Sequence, residues 1–131
     1  MDGLLKVSPD SQKAAALRER ALEHYILATS GKVESDSIRL TLLYTAAEQY
    51  CLAILADDGY KTDPTKSGGH ISTIEYVRTR KILAEDEIIT LDQMRAIRNK
   101  VDYSGMKVAQ DYLSRKGRAI EKMIARLAKT H

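Results

Sequence analysis

Apolar residues recur every three or four positions along most of this chain, which is the spacing of one face of an α-helix. A first helix is predicted from the capping segment Ser8–Ser11 to the stop signal at Gly31. A second is predicted from Ser35 or Asp36 to about Gly59. Its apolar residues cover most of its circumference, which is typical of the central helix of a bundle or of an oligomer interface.

Three more helices are predicted in the second half of the chain. After a loop with turn signals, a short helix runs from His70 to about Arg80, and a fourth begins near Ala84 and continues to about Gly105. The fifth spans roughly Met106 to Lys129. No segment alternates apolar and polar residues as a half-buried strand would.

These elements predict an all-α fold, an antiparallel up-and-down bundle of four long helices plus one short helix. A chain of 131 residues has the length of one domain, so a single helical-bundle domain is predicted over 1–131, with 1–8 as a flexible tail. The composition suits close helix packing, because the chain has seven Tyr but no Phe and no Trp, and Ala, Leu and Ile supply most apolar positions.

Cysteine usage and hydropathy indicate the cellular compartment of the protein and the kinds of site it could contain. The single cysteine, Cys51, excludes an internal disulfide and a thiolate-rich zinc site, and the scattered histidines predict no metal and no cofactor. No apolar run approaches the roughly 20 residues needed to span a bilayer, and no signal-peptide pattern opens the chain. The expectation is a cytoplasmic protein without a membrane partner.

Positive charge is concentrated at the end of the chain. The formal net charge is only +3, but residues 106–131 contain seven basic and two acidic residues. Such a helix is typical of a solvated outer face, a surface for an acidic protein, or a contact to phosphate groups. Its basic members are Lys107, Arg115, Lys116, Arg118, Lys122, Arg126 and Lys129.

The run from Arg95 to Tyr103 at the end of the fourth predicted helix is the most informative stretch of the sequence. Arg98 and Asp102 are four residues apart, which predicts a salt bridge within that helix. Asn99 and Asp102 are weak helix formers, and their use in a regular helix indicates either a site or a helix end.

A carboxylate at Glu48, on the mostly apolar second helix, requires a partner. Arg95 or Arg98 is predicted to supply it. His70, at the start of the third helix, is the histidine that the bundle could bring toward the end of the fourth.

Residues 98–103 (Arg-Asn-Lys-Val-Asp-Tyr) resemble the signature of HEPN domains, small helical bundles of prokaryotic toxin–antitoxin and defence systems. That signature is an Arg, usually followed by a polar residue, with a His several positions later. Residues 44–50 resemble the small-residue-rich middle of the family's second helix, and Gly69–Ile71 resembles the opening of its third. The resemblance covers about residues 36–113 and implies a homodimer that cuts RNA without metal, often beside a nucleotidyltransferase-like partner.

The resemblance assigns catalytic roles to the residues that match the motif. Arg98 would stabilise the developing phosphorane charge and Asn99 would orient a phosphate oxygen, with Asp102 and Tyr103 completing a variant site. Tyr103 stands where the motif histidine would be, and a phenol with a pKa of about 10 is a poor base at neutral pH.

The favoured interpretation is therefore a dimeric HEPN-like module that binds nucleic acid, a nucleotide or a nucleotidyltransferase-like protein. The alternatives are a metal-independent ribonuclease and a structural adaptor. The residues predicted to bind are Arg95, Glu48, His70, Arg115 and Arg118.

Overall fold

The computed structural model describes residues 3–100 and 102–131, and it confirms a predominantly all-α fold. In chain order the elements are β1 (Leu4–Lys6), α1 (Ser11–Thr29), α2 (Asp36–Asp58), β2 (Tyr60–Thr62), α3 (Gly69–Thr79), α4 (Glu85–Arg98) and α5 (Tyr103–Ala128). No helix in these two described ranges has the length and apolarity needed to cross a membrane.

Helix α2 is the centre of the bundle. It contacts each of the other four helices, and its buried residues lie on most of its faces. Most of the apolar circumference of α2 is thus covered by the chain itself, although Ile38 near its start is 55% exposed, and α2 is the central helix of the bundle. The left-handed Gly59 ends α2, as the sequence predicts, and its N–H donates to carbonyls of the last turn.

The pairing of α1 with α2 depends on small side chains. Ala14, Ala21 and Ala28 are spaced by seven residues and are almost completely buried. Because alanine adds only a methyl group, the two helix backbones can approach closely along this seam. The Arg18 guanidinium also forms an ion pair with the carboxylate of Asp57 at the far end of the seam.

The first residues differ from the prediction of a flexible tail. Leu4–Lys6 forms an antiparallel pair with Tyr60–Thr62, and the Val7 N–H donates to the Gly59 carbonyl at 2.8 Å. The chain segment before α1 is thereby fixed against the end of α2. Strands of three residues are too short for an alternating pattern to be recognised in sequence.

The break between α4 and α5 lies earlier than predicted, since the predicted fourth helix continues to about Gly105 and the predicted fifth begins at Met106. Helix α4 ends at Arg98, and Asp102 caps α5, which begins at Tyr103. The Asp102 Oδ1 accepts hydrogen bonds from the Gly105 N–H at 3.0 Å and the Ser104 hydroxyl at 2.7 Å. An aspartate that bonds to nearby backbone groups favours a helix start over a helix interior, which explains the break.

Candidate functional site

Arg98, the arginine of the motif, lies on the face of a buried tyrosine. Its guanidinium carbon is 4.4 Å from the centre of the Tyr44 ring, and Tyr44 is only 2% exposed. This is the geometry of a cation–π interaction. The Arg98 Nη2 also donates to the Asn99 Oδ1 at 3.4 Å. The cation at the end of α4 is thus held by the ring on α2.

The predicted salt bridge between Arg98 and Asp102 is wrong. Residues four apart share a face only while the helix continues, and α4 ends at Arg98 itself. Asp102 instead turns its carboxylate to the first turn of α5, where Gly105 and Ser104 bond to it.

A small cavity lies between α2, α3 and α4 beside the Tyr44 ring. Its volume is about 10 Å³, room for one water molecule and no more. Two predicted binding residues, Glu48 and His70, both line it together with Tyr44, the residue on whose ring the motif arginine lies. The complete lining is Tyr44, Glu48, Cys51, His70, Thr73, Ile74 and Leu91.

The ionisable groups around this cavity are held neutral where they are most buried. Burial, with the Glu48 carboxylate adding to it, raises the pKa of Tyr44 to about 12, although Arg98 and Arg95 oppose the shift. Burial and Glu48 also raise the pKa of the Cys51 thiol to about 12. At neutral pH neither a phenolate base nor a thiolate nucleophile forms here, so Cys51 acts as a core residue.

The predicted ion pair of Glu48 with Arg95 or Arg98 does not form. Arg95 Nη2 pairs instead with Asp92 Oδ1 at 3.2 Å, and Arg98 is held by the Tyr44 ring. Asp92 is one helical turn before Arg95 on the same helix, so this pairing needs no contact between helices. Glu48 is half-buried, and its effect on its neighbours is electrostatic, because it raises the pKa of Tyr44 and of Cys51.

The other residues assigned to catalysis end or begin helices. Asn99 follows the last turn of α4, and its N–H donates to the Arg95 carbonyl at 3.2 Å. Asp102 caps α5. Tyr103 is the first residue of α5, and its side chain lies outside the described part of the structure.

Replacing Asp102 with alanine is expected to lower the urea midpoint of the protein at neutral pH, because α5 loses its cap. Hydrogen bonds from Ser104 and Gly105 lower the pKa of Asp102. The stabilisation is thus complete above the unfolded-state pKa and is lost as the pH falls through the folded one. Urea denaturation of both proteins, repeated at decreasing pH, should show the difference shrinking. If the difference in stability between the two proteins grew as the pH fell, Asp102 would not be stabilising α5 as an ionised cap.

Helix α5 carries the remaining predicted binding residues, Arg115 and Arg118, on its outer side. We call Arg115, Arg118, Lys122 and Lys129 the basic stripe. Their spacing of three, four and seven residues places them along one face, and all four are exposed. The Arg115 guanidinium carbon lies 5.8 Å from the centre of the Tyr112 ring.

The basic stripe is largely free of acidic partners. None of its four members forms an ion pair with an acidic group in the described part of the chain, whereas the neighbouring Arg126 pairs with Glu87 at 3.2 Å. Neither acid of α5 forms an ion pair with the stripe among the described residues. Asp111 lies one helical turn before Arg115 on the same face, and Glu121 accepts a hydrogen bond from the Tyr25 hydroxyl of α1 at 3.4 Å.

No local sequence pattern indicates the contact between Tyr44 and Arg98, because it joins residues of different helices. Among residues 3–100 and 102–131 no group of three or more His, Cys, Asp or Glu side chains is arranged to hold a metal ion.

No protein-family model matches the chain, and neither a curated protein nor a solved structure matches it significantly. The HEPN assignment stays a prediction from the residues that resemble the motif.

Proposed function

We propose that this protein is a HEPN-like helical module that binds nucleic acid through the basic stripe of α5. The observation that supports it is the row of four exposed cations without acidic partners among the described residues. When such cations contact the phosphates, counterions that were bound to the nucleic acid are released. This release is the main source of sequence-independent affinity for nucleic acids.

Binding without cleavage fits the geometry better than a ribonuclease does. The motif arginine is held on the Tyr44 ring, and Asp102 is used as a cap. His70 and Glu48 meet at a cavity with room for one water molecule, which cannot admit a scissile phosphate. A general base must come within hydrogen-bond reach of the proton it removes.

Two further parts of the proposal, a homodimer and a nucleotidyltransferase-like partner protein, come from the family resemblance. The proposed cytoplasmic setting comes from the cysteine usage and hydropathy of the sequence. Most of the apolar circumference of α2 does not support the dimer, since the chain itself covers it. A dimer would have to use the exposed start of α2 at Ile38 or another surface.

Reversing two charges of the basic stripe, with Arg118→Glu and Lys122→Glu in one protein, is expected to weaken binding by at least about tenfold at 0.1 M salt. Fluorescence anisotropy with a labelled 20-nucleotide RNA, in single-stranded and in duplex form, measures the affinity. Binding to either form supports the proposal.

A matched control carries Lys13→Glu and Arg20→Glu, which make the same change in net charge on α1. Both residues are exposed and belong to no ion pair among the described residues. The control should bind like the unchanged protein. Equal losses in both variants would reduce the effect to net charge and contradict a site on α5. RNA that is cut by the protein, and spared by its Arg98→Ala variant, would favour the ribonuclease.

A further inference from the structure

The basic stripe is a row of charges along one uninterrupted helix. Helix α5 is 26 residues long. From Arg115 to Lys129 the helix rises about 21 Å, at about 1.5 Å per residue. A row of charges that extends along one helix matches an extended polyanion, and duplex nucleic acid stays straight over far longer distances than this.

Among the described side chains, the surface around the stripe has no exposed aromatic ring on which the bases of a single strand could stack. Proteins that hold single strands stack the bases on exposed aromatic rings. None of the tyrosines whose side chains the structure describes is exposed, and Tyr112 on α5 itself is 5% exposed beneath Arg115. The exposed neighbours Ala119 and Ala125 have small side chains, so they leave the cations accessible to a phosphate backbone.

We propose that the basic stripe binds the phosphate backbone of duplex nucleic acid without reading its sequence. This inference rests on the proposed function and names its ligand class. Four cations contact phosphates of the duplex, and the bases stay stacked and paired. Duplex RNA and duplex DNA share this chemistry, so both are bound.

The affinity for duplexes should depend on salt in a defined way. With four phosphate contacts, the logarithm of the association constant is expected to fall against the logarithm of salt concentration with a slope of about −3.6. Anisotropy titrations between 50 and 200 mM salt use 20-base-pair DNA and RNA duplexes of two sequences. The two sequences should bind within about twofold of each other, and the unstructured 20-nucleotide strand at least about fivefold more weakly.

Neutralising two cations, with Arg118→Gln and Lys122→Gln, is expected to reduce the magnitude of the slope by about 2. The Lys13→Gln, Arg20→Gln protein serves as the control and should keep the full slope. If the single strand bound as tightly as the duplex, the duplex inference would be overturned, but nucleic-acid binding would still stand. A slope that is unchanged in the Arg118→Gln, Lys122→Gln protein would also overturn the duplex inference. No binding to any of these probes would overturn both proposals.

Discussion

Replacing Tyr44 with alanine is expected to lower the free energy of unfolding by about 3–5 kcal/mol, the largest loss anticipated for any single change discussed. Tyr44 is 2% exposed and belongs to the main core. Removing its ring leaves a cavity in the middle of α2 and takes away the surface on which Arg98 lies. The Arg98 guanidinium would then lose its cation–π partner at the end of α4.

The matched control is Tyr44→Phe, which keeps the ring and its contact with Arg98. Its cost is expected to stay below about 1 kcal/mol, since only the hydroxyl is lost. Urea denaturation followed by circular dichroism measures all three proteins at neutral pH. Similar losses for the alanine and phenylalanine variants would show that the hydroxyl, rather than the ring, stabilises this region.

The periodicity of the sequence is sufficient to place the first three helices. The bounds of α2 and its end at Gly59 agree with prediction, because apolar periodicity and a glycine stop are local signals. The short sheet of β1 and β2 could not be predicted. Its three-residue strands pair across more than fifty positions of sequence, and no local pattern encodes such a pairing.

Two members of the candidate site, Glu48 and His70, were predicted, whereas Tyr44 and the contacts within the site were not. Glu48 and His70 do meet at one cavity, beside the ring that holds Arg98. Both specific pairings predicted for Arg98 failed, however. One assumed a helix that continues to Asp102, and the other overlooked Tyr44, which competes with Glu48 for the same guanidinium.

The basic surface could be predicted better than the cluster at Arg98. Residues spaced three or four apart on a long helix share a face whatever the rest of the bundle does. Their exposure on α5 follows, because the apolar residues of the same helix occupy the opposite face. Contacts between helices depend on rotations and offsets that the sequence alone does not specify.

Replacing Gly105 with alanine is expected to destabilise the protein by about 1–3 kcal/mol. An alanine Cβ at this position would lie 2.6 Å from the carbonyl oxygen of Lys100 and 2.8 Å from its Cβ. Both groups belong to the turn between α4 and α5, so the backbone of that turn would have to move. The expected change is measured as a lower midpoint in urea denaturation.

Gly117, farther along the same helix, provides the matched control. An added Cβ there meets nothing within 4 Å, so Gly117→Ala should stabilise α5 by about 0.5–1 kcal/mol. The opposite signs also test the turn between α4 and α5. The sequence places Gly105 at the end of a fourth helix that continues through Asp102, whereas the structure packs Gly105, in the first turn of α5, against the Lys100 carbonyl. A Gly105→Ala protein as stable as the unchanged one would contradict this close approach, and with it the end of α4 at Arg98.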